Sequence, residues 1–129
     1  MREKDNMFGK KKNKDTAKID GYVTFIEHAG GCICTWSVLN RETPLKWCFR
    51  EESINPVDNG WRFLGASDTE EYINKVDNNA VVDFNTVVNI EPAVLSLYDM
   101  PVGTDLRLEK YADNSIHFFD NNTETEIDF

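Results

Sequence analysis

WCFREESINPVDNGWRFLGASDTEEYINKV, running from Trp47 to Val76, is the stretch whose reading decides the fold. It is entered by alternating residues. Leu45, Trp47 and Phe49 fall on one face of a strand, and Lys46, Cys48 and Arg50 fall on the other. Asn55-Pro56 and Asp58-Asn59-Gly60 break the alternation, because proline fixes its own φ and glycine accepts positive values. A second strand follows, with Trp61 and Phe63 opposed to Arg62 and Leu64, and Gly65 closes it. Ser67-Asp68-Thr69-Glu70 has the S-x-x-E form of a capping box. The spacing therefore predicts a helix with Tyr72, Ile73 and Val76 on one side. Asp68, Glu70 and Glu71 lie in its first turn and Lys75 in its last, as the helix dipole favours.

Upstream, Tyr22 to Glu27 is rich in β-formers and predicts a first strand, with His28-Ala29-Gly30-Gly31 as the turn after it. Cys32 to Leu39 alternates, setting Cys32, Cys34, Trp36 and Val38 against Ile33, Thr35 and Ser37. Asn40 to Pro44 turns the chain into the strand at Leu45, so three successive strands suggest an antiparallel meander. Downstream, Ala80 to Phe84 reads as a strand that Thr86 to Ile90 continues beyond a bend at Asn85. Glu91-Pro92 opens a second helix, buried through Val94, Leu95, Leu97 and Tyr98. Asp105 to Tyr111 and Ser115 to Phe119 form a last hairpin about Asp113-Asn114. The expected fold class is α+β: a mostly antiparallel sheet of about six strands with two short helices packed on one face. Residues 1–20 read as a disordered basic arm, 21–119 as a single domain and 120–129 as a loose acidic tail.

The chain has 129 residues, 40% hydrophobic and 12% aromatic, enough for one core and too apolar for wholesale disorder. No apolar run approaches the ~20 residues of a membrane helix, and the charged start lacks the apolar segment of a secretory signal. Three cysteines suit a reducing compartment better than a disulfide framework, so a cytoplasmic location is expected. Charge is unevenly placed. Residues 1–20 hold seven Lys/Arg against four Asp/Glu, and residues 21–129 hold seven against nineteen. A body that acidic repels nucleic acid and attracts basic partners.

Chemistry of other kinds finds little support. Cys32 and Cys34 share a strand face, and His28 and Cys48 could join them as metal ligands, but C-x-C is not a C-x-x-C knuckle and no second Cys/His pair follows. Core packing explains all three cysteines. Glu51, Glu52 and Asp58 flank the central turn and could divide acid and base roles, as a small carboxylate-dependent hydrolase requires. Neither His28 nor His117 sits in a nucleophile context, and Gly30-Gly31 lacks the helix and Lys-Ser/Thr of a phosphate loop. The expectation is no enzyme, no cofactor and no metal.

Arg50-Glu51-Glu52, Asp58-Asn59-Gly60-Trp61-Arg62-Phe63 and Glu70-Glu71-Tyr72, with Asp83-Phe84-Asn85-Thr86, Asn89-Ile90-Glu91-Pro92 and Pro101-Val102-Gly103-Thr104 downstream, carry a resemblance. Over Gly31 to Lys110 the chain resembles an immunity-protein family of bacterial polymorphic toxin systems, with a D-[SN]-G-W-R-F pattern. It departs at Gly65-Ala66-Ser67-Asp68, where that family has a Gly-Asp or Gly-Glu step. The resemblance implies a non-enzymatic protein that binds and neutralises a cognate toxin. Residue type adds the rest: Trp61 and Arg62 are the kinds that carry binding energy, and Glu51, Glu52, Asp58, Glu70 and Glu71 are acids positioned for a basic partner. Read structurally, Trp61 and Phe63 are inward core residues and Arg62 is an ion-pair partner for a nearby acid such as Asp58 or Glu70. The alternative to a toxin partner is an acidic protein-binding module outside toxin systems.

Overall fold

The computed structural model describes residues 21–129; the basic arm expected over 1–20 lies outside the described residues. Six strands form one sheet: β1 (Gly31–Thr35), β2 (Leu45–Arg50), β3 (Asp58–Gly65), β4 (Asn79–Asp83), β5 (Asp105–Lys110) and β6 (Ile116–Asp120). Their spatial order is β4-β1-β3-β2-β5-β6, antiparallel throughout except for β1 beside β3. The α+β class and the six-stranded, mostly antiparallel sheet expected above are what the protein has. Helical pieces are short: α1 (Trp36–Leu39), α2 (Glu70–Ile73), α3 (Phe84–Ile90) and two 3-10 turns at Val76–Asn78 and Pro92–Leu97.

β3 is the axis. Trp61 and Phe63 point inward with no exposure and stack at 5.9 Å. Phe84 meets Phe63 at 5.9 Å and Tyr98 edge-on at 4.9 Å. Cys32, Cys34, Cys48 and Leu106 complete the sheet side of this core, and α3 and the Pro92–Leu97 turn cover it through Val87, Val88, Val94 and Leu97. β2 was expected to put Leu45, Trp47 and Phe49 on one face. A bulge between Leu45 and Trp47 shifts the register, so Leu45 and Cys48 face inward while Trp47 and Phe49 are half-buried outside the core.

Several local expectations give way to tertiary contacts. Tyr22 to Glu27 is not a strand; the side chains of Asn85 and Asn89, one helical turn apart on α3, hold it instead. Asn85 Oδ1 accepts from the Phe25 and Ile26 amides and Asn85 Nδ2 donates to the Ile26 carbonyl, while Asn89 makes the same paired bonds to Val23. The meander therefore does not form, and β3 occupies the place between β1 and β2. The strand expected from Cys32 to Leu39 ends at Thr35. Asp68 accepts from the Thr35 and Ser37 hydroxyls and from the Gly65 amide, at 2.7, 2.5 and 2.6 Å, and that clamp turns the chain into α1.

The same use of Asp68 shortens the next helix. With Asp68 turned inward and the Ser67 amide given to Thr43 Oγ1, Thr69 caps α2 rather than Ser67, and Val76 stands exposed beyond the helix end. Thr86 to Ile90 is helical and not a strand: Asp83 caps it through the Asn85 amide, and Phe84, Val87 and Val88 give it one buried side that outweighs β-branched propensity. The segment after β6, expected to be loose, doubles back. Phe119 bridges to Glu126, the Ile127 amide donates to the Phe118 carbonyl at 2.8 Å, and Phe129 meets Phe118 edge-on.

Candidate partner-binding surface

Asp58 to Phe63 is built as a closed network. The Asp58 carboxylate takes both Arg62 Nη groups at 2.9 Å and also accepts from the Gly60 amide at 2.9 Å and the Ile54 amide at 2.8 Å. Glu51 Oε2 accepts from Arg62 Nε at 2.6 Å. The Arg62 side chain is 4% exposed, Asp58 7% and Glu51 55%, so the pair at its centre is desolvated and its outer carboxylate is wet. The bidentate guanidinium holds the Asp58 carboxyl well below the usual carboxylate range, against the opposing push of burial, and Asp58 in turn raises Arg62. A carboxyl so committed has no proton to donate as a general acid.

The neighbours are tied in as firmly. Asn59 receives the Trp61 amide and donates to the Ala29 carbonyl. Arg50 donates to the Asn59 and Met100 carbonyls and sits 5.8 Å from the Trp61 ring. The Trp61 indole N–H reaches the Tyr98 carbonyl at 3.3 Å. Trp61 is therefore a core residue with no exposed surface, and Arg62, 3% exposed, is held from within by Asp58 and Glu51. Glu70 is not its partner.

Of the residues expected to meet a partner, the structure brings together Glu51, Asp58 and Arg62, with exposed Glu52 adjoining. Glu70 and Glu71 are exposed on α2, beyond the opposite end of β3. Seven residue steps of strand separate the two groups, roughly 20 Å. The acids positioned for a basic partner thus form two groups.

The sequence reading missed that Ser115 Oγ lies 2.9 Å from His117 Nε2, with Glu126 2.5 Å from Nδ1, the linear order of a hydrolytic triad. Nothing local signals it, because Glu126 arrives only through the returning tail. Ser115 has one hydroxyl proton, and Asp113 Oδ1 at 2.6 Å takes it, so His117 faces an oxygen with no proton to give. Cys32, Cys34 and Cys48 are fully buried and burial raises all three thiols. Among the described residues no three His, Cys, Asp or Glu side chains are grouped to hold a metal. Thiol reagents should accordingly leave native protein unmodified and label three cysteines after unfolding; a site reactive in the native state would show that the core opens.

The Immunity protein Imm33 domain matches residues 32–117, two thirds of the chain and every strand from β1 into β6. This chain belongs to the Imm33 immunity-protein family. The resemblance drawn from its sequence is thereby borne out, and an immunity role comes with it. No curated protein and no solved structure matches the chain. Within the Imm33 domain most of the positive charge is paired or hydrogen-bonded within the chain. Lys46 and Arg107 share Glu109, Arg107 also reaches Glu124, Arg62 is enclosed by Asp58 and Glu51, and Arg50 is bonded to two carbonyls. Four of the seven cations of residues 21–129 are thus engaged within the chain. No helix among the described residues is long and apolar enough to cross a membrane.

Proposed function

We propose that this immunity protein neutralises a cognate toxin by binding it, without chemistry of its own, and that its acidic surface meets a basic face of that toxin. The observation that carries the electrostatic part is the charge arrangement: nineteen acids against seven cations over residues 21–129, with Lys46, Arg50, Arg62 and Arg107 engaged internally. Complementary charge of this kind speeds encounter and selects partners. Glu70 and Glu71 at one end, and Glu51 and Glu52 at the other, are the exposed acids assigned to contact. Trp61 and Arg62 act from beneath by fixing the scaffold. Three unpaired core thiols suit a protein that meets its toxin in a reducing cytoplasm.

The test is association kinetics against the toxin domain encoded beside this chain's gene, at low and moderate salt. Wild type should associate fast at low salt, and Glu70→Gln with Glu71→Gln should slow association several-fold and flatten its salt dependence, leaving dissociation nearly unchanged. No binding at micromolar concentration removes the neutralisation reading. Tight binding indifferent to salt and to both substitutions removes the electrostatic mechanism and keeps the role.

A further inference from the structure

The two edges of the sheet end differently. At β6 the returning tail supplies a bridge at Glu126 and a hydrogen bond from Ile127. At β4 no strand lies beyond the edge among the described residues. The Phe84 amide donates to the Gly30 carbonyl at 2.9 Å, which sets the alternation along the strand. Phe84, Val82 and Ala80 turn their backbone groups toward β1. Val81 turns both its N–H and its C=O away from the sheet, and Asp83 its N–H. None of these three groups has a hydrogen-bond partner among the described residues. The Val81 side chain is 71% exposed and Val76, just before the strand, 83%.

Around this bare edge the charge is negative. Glu70, Glu71, Asp77 and Asp83 are exposed between α2 and the end of β4, against Lys75. Asn78 and Asn79 donate side-chain bonds to the carbonyls of Tyr72, Ile73 and Lys75, which fixes α2 beside the start of the strand. An open ladder, an apolar side chain at its middle and carboxylates at both ends match a specific shape of ligand.

We propose that the β4 edge is where the toxin docks, by adding an extended segment to the sheet whose cationic side chains flank a central apolar one. This rests on the neutralisation reading above and names the surface and the recognition mode. Backbone hydrogen bonds to Val81 and Asp83 supply the register and the acids supply the preference for cations. A second copy of this chain fits poorly, because pairing two β4 edges brings two sets of the same carboxylates together.

The probe is the adjacent-gene toxin domain, measured against wild type and Val81→Pro. Because the Val81 N–H points away from β1, proline there leaves the β1 ladder whole and deletes one outward donor. Val81→Pro should weaken toxin binding at least about tenfold while melting close to wild type. In parallel, hydrogen exchange on the wild-type complex should show the Val81 and Asp83 amides slowed at least about tenfold on binding; this arm decides the matter if the variant does not fold. A wild type that does not bind overturns the neutralisation reading and this one with it. Binding with unchanged affinity in a folded Val81→Pro, or no new protection at those amides, overturns the edge alone. Two other outcomes also overturn it: a concentration-dependent dimer abolished by Val81→Pro, which assigns the edge to a second copy, or protection in the free protein that disappears on deleting residues 1–20, which assigns it to the chain's own basic segment.

Discussion

Asp58→Ala is expected to remove about 3–5 kcal/mol of folding stability, because it leaves a buried guanidinium with a single, largely solvated carboxylate, Glu51, to balance its charge. Arg62 keeps Glu51 on its Nε and the Trp61 carbonyl on Nη1, but Nη2 loses its acceptor, Nη1 loses its charged one, and the Gly60 and Ile54 amides lose theirs as well. For a domain whose total stability is of order 5–15 kcal/mol, that loss is severe. Asp58→Asn keeps an acceptor in place and should lose less. Denaturant midpoints with unchanged slopes measure both; a loss under about 1 kcal/mol for the alanine would mean that water reaches Arg62 once Asp58 is gone.

The same cluster gives an acid limb to the stability curve. The Asp58 carboxyl is depressed in the folded state, chiefly by its hydrogen bonds to Arg62, relative to an ordinary value near ~3.9 in the unfolded chain. The unfolded state therefore takes up protons first as pH falls. The contribution is complete above about pH 4 and is lost progressively below it, toward the folded value. Asp58→Asn should be less stable at neutral pH and visibly flatter between pH 4 and pH 2.

Gly60→Ala should be the second large effect, about 2–4 kcal/mol, from two separable causes. Gly60 has φ +90°, which alone costs a Cβ about 1 kcal/mol, and its added Cβ would lie 2.2 Å from the Glu51 carbonyl oxygen. That oxygen belongs to a backbone tied to β3 by the Glu51 amide's bond to the Gly60 carbonyl, so it cannot retreat cheaply. Gly103 is the natural comparison, with φ +101° and nothing within 4 Å of a Cβ. Gly103→Ala should therefore show the conformational part alone, and the difference between the two midpoints reads the clash. Equal losses would mean that the Glu51 carbonyl moves aside.

The parts of this protein legible from its sequence are those where local signals and tertiary contacts agree. The alternation of β3 and β5 and the positive φ of Gly60 are of that kind. What was not legible depends on side chains acting across the fold. Nothing near Thr35 announces that Asp68, remote in sequence, will end its strand. Nothing in Tyr22–Glu27 announces that two asparagine side chains will replace a β-ladder. The helix at Phe84–Ile90 lost to β-branched propensity in the sequence because its cap, Asp83, looked like a strand residue. For the binding surface, residue type pointed to Trp61 and Arg62, which the core claims. The β4 edge proposed above as the docking surface carries no residue signature, since the groups it would offer are backbone.

The returning tail has a consequence for solubility. Filament growth by edge pairing needs two open edges on every molecule, one to accept and one to offer. With the returning tail bonded to Phe118, Phe119 and Asp120, the outer edge of β6 is blocked along that half, and among the described residues β4 is the edge where a whole strand can be added. Under the docking proposed above, capture at β4 is self-terminating and does not seed a fibre.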